Sequence, residues 1–195
     1  MNKEKDYLNM DDQELVAFTL ENKDYYQYLM KRYEEKLKRY IRRLAKLKEE
    51  EVEDILQEVF IKTYVNLNAF DASLKFSSWI YRITHNETIT HLRRLKSRPS
   101  IFNLELNEII VNKLRSELNL EKEADKKYLK ANMEKVIGGI EKKYQEVIVL
   151  KYMEDKDYQE ISDILKKPVG TVAVLLSRAK KEIKKKLLSN KVFFN

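Results

Sequence analysis

The chain of 195 residues contains no cysteine, three glycines and two prolines. The absence of cysteine excludes disulfide bonds, thiolate metal sites and cysteine nucleophiles, and the scarcity of glycine and proline predicts few turns. No apolar run approaches the roughly 20 residues that a transmembrane helix needs. The N-terminal stretch MNKEKDYLNMDDQEL also lacks the apolar core of a signal peptide. The sequence therefore predicts a cytoplasmic protein with no integral membrane segment.

Charged residues make up 36% of the chain and hydrophobic residues 43%, which is enough apolar material for a core. Glutamate, lysine and leucine dominate, and this composition favours helix. The net charge is +7 and the isoelectric point about 9.2. A basic surplus is typical of proteins that bind nucleic acid. The alternative is a lysine-rich genome that makes all of its proteins basic.

Apolar residues recur at a helical period along most of the chain, which predicts an all-α fold. The periodicity weakens between residues 98 and 125 and returns beyond residue 126. We therefore predict two small helical domains, residues 11–97 and 126–189, joined by a flexible linker at 98–125 that is helical in part.

Residues that favour helix ends support this division. Asp11 and Asp12 are good N-caps for a first helix. Ser77 or Ser78 is the predicted cap of a helix that continues to residue 96, and Pro99 is its predicted stop.

The C-terminal domain has the pattern of a helix-turn-helix. Asp157 and Glu160 fit a capping box that begins a short helix. The break KKPV at 166–169 follows, and Gly170-Thr171 opens a longer, basic helix. At about 100° per residue, its core face carries Val172, Leu176, Ala179 and Ile183, with Leu175 at the edge. A helical bundle with a solvated lysine tail is the alternative.

Together the two domains resemble an RNA polymerase sigma factor of the extracytoplasmic-function type, group IV of the sigma-70 family. DILQEVFIKTYVNLNAFD followed by FSSWIYRITHNETITHLRR is similar to region 2 of that family. YQEVIVLKYMEDKDYQEISDILKKPVGTVAVLLSRAKKEI is similar to region 4. The resemblance covers nearly the whole chain.

The resemblance implies a protein that binds core RNA polymerase, directs it to promoters and helps to open the duplex. Region 4 is expected to read the −35 element as duplex DNA, and region 2 to capture the −10 element as a single strand. The family implies an anti-sigma factor as a further partner, and no catalytic residue, metal or other cofactor.

A second stripe on the helix at 51–67 is the expected polymerase-docking face. Its residues follow the spacing i, i+3, i+4 and i+7 away from the buried stripe: Asp54, Gln57, Glu58 and Ile61. In the family this face docks on the basic clamp helices of the large polymerase subunit, and charge complementarity suits such an interface. An ordinary hydrated face is the alternative.

The −10 reader is expected in the loop at 68–78 and along the helix that follows. A flipped base needs polar groups for its edge and flat neighbours for its face, and a single strand needs stacking surfaces and cations. The candidates are Asn68, Phe70, Asp71, Ser73, Phe76, Trp79, Tyr81, Arg82, His85, Asn86, Arg93 and Arg94, with Lys96 beside them. The alternatives are a plain turn with Phe70 and Phe76 in the core, and a core Trp79. His85 and His91 are too far apart to share a metal and are predicted to be polar surface.

Promoter recognition at −35 is assigned to the exposed side of the last long helix: Thr171, Ala173, Val174, Ser177, Arg178 and Lys181. Apolar side chains there can touch thymine methyl groups.

The chain departs from the family pattern at several positions. Ala173-Val174-Leu175 replaces the usual Lys-Ser-Arg, which puts the usual −35 contacts in doubt. Lys166 replaces a turn glycine, at a cost of about 1 kcal/mol if its φ is positive. Thr90 stands where an acidic residue is common, and the usual proline near Glu141 is absent.

Three other classes of protein are alternatives to a sigma factor. A helix-turn-helix regulator that acts without polymerase is the main alternative, although it has no need of the stripe at 54–61. A membrane-surface protein could use a basic helix. No P-loop, glycine-rich loop or cluster of His, Asp and Glu supports an enzyme.

Overall fold

A computed structural model describes residue 7 and residues 10–95, 106–120 and 126–191. Over these ranges the regular structure is helical and contains no strand, so the predicted all-α class is confirmed. None of the described helices is long and apolar enough to cross a membrane. Lys96, Pro99 and both ends of the predicted linker lie outside the described residues, so the predicted domain boundaries stay predictions. The chain divides into two compact units, which are formed mainly by its two halves.

Four helices of the described residues belong to the first unit, and their apolar stripes meet in one core. The core contains Leu37, Tyr40, Ile41, Val52 and Ile80, all fully buried. Two 3-10 turns join the helices, at Lys23–Tyr25 and Leu67–Ala69. The helices are α1 (Asp12–Glu21), α2 (Tyr26–Leu44), α3 (Glu49–Val65) and α4 (Phe76–Arg94).

The two predicted helix caps in this unit have different outcomes. Asp11 caps α1 as expected: its carboxylate accepts a 2.8 Å hydrogen bond from the Glu14 amide, and the Glu14 carboxylate accepts one from the Asp11 amide. The predicted cap at Ser77 or Ser78 is wrong. Helix α4 begins at Phe76, preceded by Lys75 without a side-chain cap. Because the Phe76 ring is fully buried, packing rather than capping sets this helix start.

Five helices of the described residues form the second unit around a core that includes Met133, Ile137, Val147, Ile148 and Ile183, each fully buried. They are α5 (Glu108–Glu117), α6 (Lys126–Gly138), α7 (Lys142–Ile148), α8 (Tyr158–Leu165) and α9 (Val169–Lys191), and α7 continues into a π-helical turn at Val149–Met153.

Helix α5 lies in the predicted linker but is packed on the second unit. Its side chains Ile110, Val111 and Leu114 are buried, as is Leu118 just after it. The Leu106 amide also donates a 2.8 Å hydrogen bond to the Glu134 carboxylate on α6. This part of the predicted linker is therefore not free chain. We refer to α5 below as the connector helix.

Candidate partner and nucleic-acid interfaces

The predicted docking stripe on α3 is exposed along its whole length. Asp54, Gln57 and Glu58 are exposed, and Ile61 keeps 57% of its surface open to solvent. The opposite side of α3 is buried, as the helical period predicted: Val52, Ile55, Leu56 and Val59 lie in the core. The stripe is thus a continuous polar surface with one apolar side chain at its C-terminal end.

The two acids of the stripe differ in their electrostatic surroundings. The Lys62 ammonium lies 3.3 Å from the Glu58 carboxylate and 2.7 Å from that of Glu87 on α4. The hydrogen bond to Glu87 is the main cause that raises the pKa of Lys62. Asp54 has no ion pair with any residue that the structure describes. Asp54 is therefore the carboxylate most available to a basic partner.

Beside the stripe, an apolar groove of about 440 Å³ runs between α2 and α3. Gln57 and Ile61 form one wall of the groove. Its other lining residues are Tyr26, Met30, Phe60 and Tyr64, of which Met30 and Tyr64 are exposed. Sequence analysis did not identify these α2 residues, because their spacing is the same as that of core positions.

A second, polar cavity of about 250 Å³ lies between α3 and α4. Asp54 and Glu58 line it from α3, and Glu87, Thr90, His91 and Arg94 line it from α4. The structure thus places Arg94 beside the acidic stripe. Thr90, one of the departures from the family pattern, lies in the same cavity.

Four of the predicted −10 contacts are buried in the first unit. Phe76 is fully buried, and Trp79, Tyr81 and His85 each expose less than a tenth of their surface. The Tyr40 hydroxyl lies 3.0 Å from His85 Nδ1, and the rings of Tyr40 and Tyr81 are 5.0 Å apart. Phe76, Tyr81 and His85 pack α4 against α2, and Trp79 packs on Phe70 and Phe76. Burial therefore argues against all four as DNA contacts. The prediction that His85 is polar surface was wrong.

The loop before α4 presents its polar candidates to solvent. Asn68, Asp71 and Ser73 are exposed, and Phe70 is half-buried. The Phe70 ring packs on Phe76 and Trp79 at centroid distances of 5.5 and 5.3 Å. Hydrogen bonds from the Ser73 side chain and amide lower the pKa of Asp71. The loop is a hydrogen-bonded turn that exposes the Asp71 carboxylate to solvent.

Three polar candidates form a row on the outer side of α4. Arg82 is half-buried, whereas Asn86 and Arg93 are exposed. Their spacing of four and then seven residues keeps them within about 40° of one another around the helix. Arg94 lies about 100° away from Arg93, which agrees with its place in the polar cavity. Arg82, Asn86 and Arg93 are therefore the α4 candidates that one DNA strand can contact together.

Helices α8 and α9 form the predicted helix-turn-helix. The Asp157 carboxylate accepts a 2.7 Å hydrogen bond from the Glu160 amide, and this capping box begins α8. The turn is closed by Ser162, whose hydroxyl donates to the Lys167 carbonyl at 2.6 Å. Lys166 adopts a left-handed conformation with φ of 53°. The expected cost of about 1 kcal/mol for a lysine in place of the family's turn glycine therefore applies here.

Helix α9 places its side chains as the helical period predicted. Val172, Leu176, Ala179 and Ile183 are fully buried or nearly so, and Leu175 is 9% exposed at their edge. Val174 keeps 48% of its surface open, and Ala173 is half-buried. The polar candidates Thr171, Ser177, Arg178 and Lys181 are all exposed. The apolar block VAVLL, residues 172–176, is thus divided between the core and a solvent-facing surface.

Comparison with known proteins identifies the family. The model of Sigma-70 region 2 matches residues 29–98, and that of Sigma-70 region 4 matches residues 130–183. The ECF RNA polymerase sigma factor SigW of Bacillus subtilis is 35% identical over 150 residues, which cover 70% of this chain and 75% of SigW. The chain belongs to the ECF sigma factors of the sigma-70 family.

Two solved structures share the fold. CnrH in complex with the cytosolic domain of CnrY is 21% identical, with a TM-score of 0.64 over 91% of this chain and 97% of CnrH. The sigma factor RpoE of Bartonella quintana, in complex with the anti-sigma factor NepR, is 16% identical, with a TM-score of 0.58 over 83% and 95% of the two chains. In this ECF sigma factor, region 2 thus contains the α3 stripe and region 4 contains the helix-turn-helix.

Proposed function

We propose that this alternative sigma factor binds core RNA polymerase through the α3 stripe, captures the −10 element with the loop and outer row of α4, and reads the −35 element with α9. The observation that carries the proposal is the separation of faces on α3 and α9. On each helix the core residues are buried, and the residues expected to meet a partner are exposed, except for the half-buried Ala173.

The proposed polymerase contact combines charge with an apolar anchor. Asp54 offers at the polar cavity a carboxylate that has no ion pair within the described part of the chain, and Ile61 offers an exposed side chain beside the apolar groove. A basic helix with one apolar side chain would match both features. Complementary charge of this kind speeds association and fixes the register of the partner. Because Arg94 lines the polar cavity, it is not proposed as a −10 contact.

For the −10 element we propose Asn68, Asp71 and Ser73 as the polar groups around a flipped base, with the half-buried Phe70 as the stacking face. Arg82, Asn86 and Arg93 would follow the displaced strand along α4. Cations and polar groups in one row suit a single strand, because its backbone is charged along its length.

For the −35 element we propose direct contacts from Val174, Ser177 and Arg178, flanked by Thr171, Ala173 and Lys181. Val174 and Ala173 cannot donate hydrogen bonds, but they can contact thymine methyl groups. Affinity is then expected to depend on phosphate contacts and DNA shape, and to fall steeply with salt.

We further propose that a protein of the anti-sigma class regulates this factor. The support is the likeness to RpoE, whose solved structure contains the anti-sigma factor NepR. Binding at the α3 stripe would block the polymerase contact directly.

Substitution of Asp54→Lys tests the docking face. Repulsion from a basic partner is expected to reduce co-purification with core polymerase. The free energy of unfolding should change by less than about 0.5 kcal/mol, because Asp54 is exposed and makes no ion pair with a residue that the structure describes. Glu35→Lys is the control for the charge change: on α2 its carboxylate is 72% exposed and lies 3.9 Å from the Lys38 ammonium, and a surface pair of this kind contributes little to stability. Equal retention of polymerase by both variants would contradict the proposed face.

A further inference from the structure

The connector helix contacts the proposed DNA-reading helix through one ion pair. The Glu117 carboxylate, in the last turn of α5, accepts a 3.2 Å hydrogen bond from the Lys180 ammonium on α9. Both side chains are about one-third exposed. Lys180 was not among the residues that sequence analysis assigned to the −35 element.

Lys180 lies at the border of the DNA-facing side of α9. It follows Ser177 by three residues and precedes Lys184 by four, spacings that place neighbours on one side of a helix. Ser177 is one of the proposed −35 residues and is exposed. A lysine at this border has a long side chain that can turn toward a DNA phosphate or toward the connector helix.

Glu117 accepts a second hydrogen bond, from a buried residue. The hydroxyl of Tyr152, a buried residue of the π-helical turn, donates a 2.6 Å hydrogen bond to the same carboxylate oxygen. Burial raises the pKa of Glu117, but the hydrogen bonds from Tyr152 and Lys180 and the charge of Lys113 outweigh it and lower the pKa overall. Leu114, one turn earlier on α5, is fully buried and fixes the helix.

We propose, on the basis of the proposed −35 function, that Lys180 is a further phosphate-contacting residue and that Glu117 restrains it. While the connector helix is docked, Lys180 is neutralised by Glu117 and the acid itself repels approaching phosphates. Each lysine that neutralises a phosphate releases a counterion and adds about 0.9 to the salt slope of binding. Docking of the connector therefore removes one phosphate contact from region 4.

The test is the salt dependence of binding between the full-length protein and a fluorescein-labelled duplex of random sequence, followed by fluorescence anisotropy. Glu117→Gln keeps an acceptor for Tyr152 and removes the charge. We expect its slope of log K against log salt to be steeper than that of the wild type by about 0.9. That difference corresponds to a roughly 3-fold greater loss of affinity between about 50 and 200 mM salt.

Two controls separate this effect from a general gain of positive charge. Glu108→Gln makes the same charge change at an exposed position on the same helix, and it should steepen the slope less. In a Lys180→Gln background, Glu117→Gln should have no effect on the slope, because the restrained cation is gone.

The inference is overturned if Glu117→Gln matches Glu108→Gln, or if its effect persists without Lys180. If the wild-type protein still binds the duplex, either result would mean that the ion pair between Glu117 and Lys180 only stabilises the contact between α5 and α9. The proposed −35 function would not be affected. Failure of all the proteins to bind the duplex at any salt would refute both proposals.

Discussion

Two substitutions in the apolar block of α9 should affect stability and DNA binding differently, because Leu176 is buried and Val174 is exposed. Leu176 is 1% exposed and lies among Val172, Ala179 and Ile183, which are also buried. Truncation to alanine should leave a cavity, with a cost of roughly 2–5 kcal/mol. In a domain of this size, each kcal/mol lowers the melting temperature by about 4–8 °C.

Val174→Lys should behave in the opposite way. Because Val174 is 48% exposed, the change in stability should be within about 0.5 kcal/mol. The new cation should increase affinity for duplex DNA at low salt and steepen the salt slope by about 0.9.

Thermal melts followed by circular dichroism, together with anisotropy titrations on the same proteins, measure both effects. If Val174→Lys unfolds region 4 while Leu176→Ala leaves it intact, the buried and exposed faces of α9 are reversed and the −35 assignment fails.

Two other predictions concern the turn and the −10 row. Lys166→Gly should raise the free energy of unfolding by up to about 1 kcal/mol, because glycine adopts a positive φ without a Cβ clash. Lys166→Ala is the control, and stability is measured by denaturant titration. Equal stability of the two variants would contradict the role of the positive φ. Asn86→Ala combined with Arg93→Ala should weaken capture of a single-stranded −10 oligonucleotide and leave duplex binding by α9 unchanged. Equal loss with both probes in anisotropy titrations would argue against separate readers.

The sequence was most informative where one side of a helix is buried. Helix α9 alternates between apolar and polar residues at a helical period, so Val172 and Leu176 could be assigned to the core and Val174 to the surface. The positive φ of Lys166 was raised as a condition only because Lys166 replaces a turn glycine of the family pattern, and glycine adopts this conformation most readily.

Helix α4 was harder to predict because more than one of its sides is packed. Trp79, Tyr81 and His85 lie at different angles around the helix, yet all are buried. Aromatic residues beside arginines are typical of a nucleic-acid surface and also of a core edge. Only the tertiary contacts, such as that between Tyr40 and His85, distinguish these two cases.

The linker was predicted to be helical in part, but the packing of the connector helix on the second unit was not predicted. Ten residues, Glu108–Glu117, give too few turns for a strong periodic signal, so the pattern did not identify Ile110, Val111 and Leu114 as buried. The ion pair between Glu117 and Lys180 joins residues 63 positions apart, which helical spacing cannot reveal.

Run-off transcription with purified core polymerase on genomic DNA fragments tests whether this protein directs promoter-specific initiation through its α3 stripe. We expect transcripts from discrete promoters when the wild-type protein is added, and loss of those transcripts with Asp54→Lys but not with Glu35→Lys. Absence of specific transcripts with a folded wild-type protein, or full activity of Asp54→Lys, would contradict the proposed function.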